Sequence, residues 1–157
     1  CCPGWSQIPG LKQSSYVAKP DTLENWQSQI EVLFDRNHPP RSITSRIALR
    51  ERIYRNTGVK HFHFDIVPDK SPNATELEGY VVYSPTKENP SWQVNMMRGR
   101  DLPQCGFVQF QYAQKVQQPY LSARFSDEKV RKYIQKYIVE KEIKHLQDLE
   151  WLWDCKH

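Results

Sequence analysis

Residues 59–67 read Val59-Lys60-His61-Phe62-His63-Phe64-Asp65-Ile66-Val67, and here the period of the apolar side chains changes. Before this stretch the apolar residues recur at three and four; within it they alternate, with Phe62, Phe64 and Ile66 on one face and His61, His63 and Asp65 on the other. A period of two is the signature of a half-buried strand, because successive side chains leave opposite faces. The chain is therefore expected to switch from helices to sheet at about residue 59.

Upstream, two helices are expected. Over 22–36, Leu23, Trp26, Ile30, Leu33 and Phe34 recur at helical spacing after a Thr22 or Asp21 cap, and His38-Pro39-Pro40 stops the segment. Over 43–56, Ile43, Ile47, Ile53 and Tyr54 supply the apolar residues, and Asn56-Thr57-Gly58 is the stop. Residues 1–21 hold Pro3, Pro9 and Pro20 and are expected to form an extended arm. Downstream, strands are expected at 77–83, around Trp92, Val94 and Met96, and at 107–113, with a loop over 98–103. Short connections favour an antiparallel meander.

From Leu121 to the end there is neither Gly nor Pro. Ser126 is the expected cap of a helix over 126–153, with Asp127 and Glu128 in its first turn. Val130, Tyr133, Ile134, Tyr137 and Ile138 form one apolar stripe, and Val139, Ile143, Leu146 and Leu149 form a second, rotated from the first. At 1.5 Å per residue such a helix is roughly 42 Å long, more than one small four-stranded sheet covers, so the excess is expected to meet a partner, bend or stand exposed. The expected fold is α+β: two N-terminal helices, a four-stranded mainly antiparallel sheet, and a long C-terminal helix. The domain occupies 22–157, with the helix projecting beyond it.

The 157 residues, 38% hydrophobic and 25% charged, suit one globular domain rather than a disordered chain. No apolar run approaches the roughly 18 residues needed to span a bilayer. GxGxxG, GxxxxGK and GxSxG strings are all absent from the sequence. Four cysteines, Cys1, Cys2, Cys105 and Cys155, permit three full pairings or none, and no CxxC spacing points to thiolate-bound zinc. A start at Cys1 reads as a processed end, from an organellar presequence, a secretory signal or a polyprotein.

The charge is local. Arg41, Arg46, Arg50, Arg52, Arg55 and Lys60 face only Glu51 over 41–60, whereas the whole chain carries +4. Such a helix suits RNA phosphates, acidic lipid headgroups or an acidic protein, and equally a solvated face. His61, His63 and Asp65 are apt ligands for zinc or ferrous iron when they share a strand face. His61-Phe62-His63-Phe64-Asp65 resembles the HxHxD part of metallo-hydrolase motifs, but Ile66 stands where that motif continues with His. A metal-dependent hydrolase is thus the minor enzymatic alternative; the main expectation is no catalysis and no cofactor.

Large aromatics near the tail anchor the functional expectation. Trp151-Leu152-Trp153 on a helix would point in three directions about 100° apart, so one must meet a neighbour or water. With Tyr133 and Tyr137 they are the expected partner-binding residues. The expectation is a non-catalytic accessory subunit of a larger multiprotein assembly, bound to other protein subunits. A mitochondrial respiratory or ATP-synthase complex fits the mild basicity and processed end. An RNA-binding or organellar ribosomal protein, and a secreted disulfide-stabilised binding protein, are the alternatives.

Overall fold

The computed structural model describes residues 11–17, 27–36, 41–68, 75–102, 106–116 and 126–148. Strands β1 (Leu11–Val17) and β2 (Ser28–Asp35) come first, followed by helix α1 (Ile43–Asn56). Four strands follow: β3 (His61–Pro68), β4 (Thr75–Tyr83), β5 (Trp92–Leu102) and β6 (Gly106–Val116). The described chain ends with α2 (Asp127–Ile134), a π-helical turn (Gln135–Val139) and α3 (Glu140–Asp148). The six strands form one sheet in the order β1-β2-β6-β5-β4-β3, and every neighbouring pair is antiparallel.

The α+β class and the antiparallel sheet are as expected, but among the described residues there are six strands rather than four and one N-terminal helix rather than two. Residues 28–35, expected within a helix, are β2, and residues 11–17, within the expected arm, are its edge partner β1. The physical reason lies in the layers. α1 packs on one face of the sheet, where Leu33, Leu77, Val81, Met97 and Phe107 meet Ile43 and Tyr54. The C-terminal helices pack on the other, where Val82, Trp92, Val94, Met96 and Val116 meet Val130, Ile134, Ile138, Val139 and Leu146. A strand buried on both faces loses its alternation. In β2 the successive residues Val32 and Leu33 are both buried, on opposite faces, which mimics helical spacing.

α1 has the predicted bounds. Ser42 caps it by accepting from Ser45 N–H at 3.1 Å, and Gly58 closes it at φ +81°, donating to Arg55 C=O. Ser126 caps α2 as expected, accepting from Lys129 N–H at 3.3 Å. The expected loop at 98–103 is strand as far as Leu102, which pairs with Gly106 across the β5–β6 hairpin. Gly106 holds φ +78°, and a Cβ there would lie 2.4 Å from the Asp35 carbonyl oxygen. Only glycine allows β6 to begin so close to the end of β2.

The π turn resolves the two stripes. Glu140 N–H donates to Gln135 C=O, one residue further back than an α-helix reaches. This extra residue rotates the helix face, so that Val130 and Ile134 before the turn, Ile138 and Val139 within it and Leu146 after it are all buried on the same sheet. The described part of the helix reaches Asp148, and the expected continuation to 153 lies outside the described residues. Arg98 of β5 fastens it there: its Nε and Nη2 donate to Glu76 at 2.6 and 2.8 Å, and its Nη1 donates to the Leu146 carbonyl at 2.9 Å. A cation suits the carbonyl end of a helix.

Candidate functional site

Three places bring polar or aromatic groups together, and each is set by the layering. The first lies between the C-terminal helix and strands β2 and β6. Tyr133 and Tyr137 stand one turn apart with ring centroids 4.9 Å from each other. They face Tyr112 of β6 and Ser28 of β2 across a groove of about 510 Å³, whose floor includes Gln114 and Val116. That volume suits a small ligand or an anchoring side chain.

Tyr112 shares a side-chain hydrogen bond with Ser28. Burial raises its hydroxyl pKa most, the Glu142 carboxylate adds to that, and the Ser28 bond opposes it. The phenol therefore stays neutral and able to donate at ordinary pH. Ile30, opposite Tyr112 in register, is 49% exposed, and Tyr137 is 56% exposed. Among the described residues, two of the three exposed large hydrophobics thus flank this one groove. The Lys136 ammonium lies 5.3 Å from the Tyr137 ring, which leaves a basic rim beside the aromatic one.

The second place is the seam under α1. Ile43, Arg46, Arg50 and Tyr54 form the buried face of this helix. Arg46 Nη1 donates to Asp35 Oδ2 at 2.5 Å, Arg41 Nη1 donates to the same oxygen at 2.7 Å, and Asp101 lies 3.8 Å from Arg46. Arg50 Nη2 donates to Gln109 Oε1 at 2.6 Å, and further along the same sheet face Gln111 donates to Glu31 at 2.9 Å. Both guanidinium groups sit over the Phe107 ring, at 4.0 and 5.5 Å. Burial lowers the pKa of Arg50 to about 10, which still leaves it charged at neutral pH.

The expected basic patch is therefore divided. Arg46 and Arg50 point inward, Arg41 is half-buried, and Arg52 and Arg55 are exposed, with Arg55 paired to Glu51 at 2.8 Å. The signal for the inward pair is the three-and-four spacing of Ile43, Arg46, Arg50 and Tyr54, met by Asp35 and Gln109 on one sheet face.

The third place is β3. His63 Nε2 lies 2.8 Å from Asp65 Oδ2, so these two share a face as expected, and His61 and His63 both approach the Tyr80 ring. Burial, and after it Arg131, lowers the pKa of His61. Among the described residues no group of three His, Cys, Asp or Glu side chains is placed to hold a metal ion. Trp151, Trp153 and all four cysteines lie outside the described residues. No described helix is long and apolar enough to cross a membrane.

Together these features define a class: an antiparallel six-stranded sheet clad by one helix on each face, with an aromatic groove beside the C-terminal helix. A family model matches residues 4–151, and the chain belongs to that family. An uncharacterized protein of Haemophilus influenzae is 70% identical over 141 residues, which cover 90% of this chain and 73% of that protein. No solved structure matches.

Proposed function

We propose that this chain is a non-catalytic accessory subunit of a larger multiprotein assembly, and that it holds a neighbouring protein through the tyrosine groove. The observation that carries the reading is the concentration of exposed apolar surface there: Ile30 and Tyr137 flank a groove lined by Tyr112 and Tyr133. Tyrosine gives large rigid contact area with a polar tip, which is why it is common in the anchoring positions of interfaces. The RNA-binding alternative has less support, because Arg46 and Arg50 engage Asp35 and Gln109 instead of facing solvent. A respiratory or ATP-synthase complex remains the kind of assembly proposed. The bacterial relative does not bear on a mitochondrial or secreted location, so role comes before compartment.

The test is gentle isolation of the chain from its native source, followed by sizing and identification of what travels with it. The wild-type chain is expected to run with defined partner chains, well above its own 18.6 kDa. Tyr137→Ala removes an anchoring ring and should weaken that association by about 2 kcal/mol, roughly thirtyfold. A wild-type chain that runs alone, or a complex indifferent to Tyr137→Ala and to Ile30→Ser, overturns the reading.

A further inference from the structure

Among the described residues the sheet ends at β3, and this edge has neither a bulge nor an internal proline to keep it from pairing with another chain. Its ladder to β4 is unbroken over eight residue pairs, from His61↔Val82 to Pro68↔Thr75, so there is no bulge to twist it away. Proline stands only at its last position. Among the described residues no further strand lies beyond it. His63 and Asp65 have side chains 59% and 64% exposed, and Ile66, on the α1 side, is 49% exposed.

We infer that β3 pairs antiparallel with β3 of a second copy of this chain, with Phe64 facing Phe64 across a two-fold axis. The inference rests on how the sequence complements itself. Residues directly opposite in an antiparallel pair share a face, so a two-fold axis normal to the sheet must place some residue opposite itself. Centring on Phe64 sets His63 opposite Asp65 twice and Phe62 opposite Ile66 twice. The His63–Asp65 pairs are then complementary, His61 falls opposite Val67, and the exposed Ile66 gains an aromatic neighbour. Centring on His63 puts His63 against His63 and leaves Ile66 against Lys60. Centring on Asp65 puts two carboxylates face to face. Centring on Phe62 sets His61 against His63. Of these four registers, only the one centred on Phe64 opposes no two like polar groups while covering Ile66. It joins two six-stranded sheets into one of twelve strands, a self-complementary form of strand addition.

This surface is separate from the tyrosine groove, which lies over β2 and β6 on the far side of β5 and β4. Either can fail without the other. The experiment is sedimentation of the purified 157-residue chain across a concentration series, with circular dichroism to verify folding. The wild type is expected to move from monomer to dimer. Asp65→Lys sets Lys against His63 and should weaken the dimer at least about tenfold. His63→Glu with Asp65→Lys reverses both charges and should restore the dimer to within about threefold. Tyr137→Ala should leave it unchanged. A wild type that stays monomeric at every concentration, a dimer indifferent to Asp65→Lys, or a charge-reversed variant that stays as weak as Asp65→Lys each overturns the inference.

Discussion

Replacing Asp35 with Ala strands a buried cation. The Asp35 side chain is 1% exposed and that of Arg46 is 3% exposed, and the two meet at 2.5 Å. Without the carboxylate, Arg46 still lies over the Phe107 ring, but its remaining counter-charge among the described residues is Asp101 at 3.8 Å, half-exposed and too distant for a hydrogen bond. Removing one partner of a buried pair costs about 3–5 kcal/mol, since the survivor has neither water nor a counter-charge. Against a typical domain stability of about 5–15 kcal/mol, that is a large share. For a chain of this length it corresponds to a fall in Tm of about 6–20 °C. Arg41 loses its partner too, but it is 26% exposed and reaches water. The decisive control removes both charges. Asp35→Leu with Arg46→Met fills similar volume, sets a thioether against Phe107 in place of the guanidinium, and should cost far less than the single change. Urea denaturation and a thermal scan of the three proteins give the comparison. A single variant that loses under about 1 kcal/mol, or a double variant as unstable as the single, refutes the claim that this seam is held by paired charge.

Two further outcomes follow from the opposite face. Glu78 is buried and accepts from Gln147, and burial is the chief cause that lifts its carboxyl pKa above the ordinary 4.5; Gln147 and Arg98 pull against this, and Glu76 and Asp65 add to it. A raised native value means the folded state holds the proton more tightly. The contribution is complete below 4.5 and disappears as pH rises through the native value. Glu78→Gln, which carries no charge, should flatten the thermal stability profile across that window, and parallel profiles for the two proteins would contradict it. Arg98→Ala removes the fastening of α3, so amide exchange over 140–148 should quicken at least about tenfold while α1 keeps its protection. Arg98→Lys should not restore it, because an ammonium cannot reproduce the paired bonds to Glu76; uniform protection across both helices in Arg98→Ala would count against this role.

What could be read from the amino acids depended on whether an element meets the core on one side or two. α1 and the Ser126 cap were legible because their cues are local: a glycine after the one helix and a hydroxyl before the other. β3 was legible because it is an edge strand with unequal faces. β2 was not, since its Val32 and Leu33 serve different cores and their order has no period of two. β1 offers Ser14 and Ser15 at its middle and little apolar pattern, so only its pairing with β2 defines it. In the candidate sites, Tyr133 and Tyr137 were named, and they line one groove side by side. Tyr112 and Ile30 were read only as parts of their elements, because their contribution depends on which strand the helix leaves uncovered. The inward turn of Arg46 and Arg50 was hidden for a related reason: an arginine at a core position looks like any other until the facing strands supply Asp35 and Gln109.

The C-terminal helix decides how much apolar surface is left for a partner. Read as one straight rod, it carries two stripes and needs a neighbour for the second. The π turn removes that need within 127–148, since Ile134 and Val139, five residues apart, are both buried against the same sheet. The residual demand for a partner therefore shifts from the length of the helix to its flank. There the same rotation leaves Tyr137 outside the core while Ile138 beside it is 8% exposed. A π turn is a costly irregularity in an α-helix and is found most often where function needs it. Here it does two things at once: it seats α3 where Arg98 can fasten it, and it leaves a tyrosine pair at the mouth of a groove. Exposed apolar surface at Ile30 and Tyr137 thus flanks the half-buried Tyr112 and Tyr133, with the sheet beneath and Arg98 bonded to the helix end. Such preorganisation lowers the ordering cost of binding, so a partner seated there gains most of the contact free energy it makes.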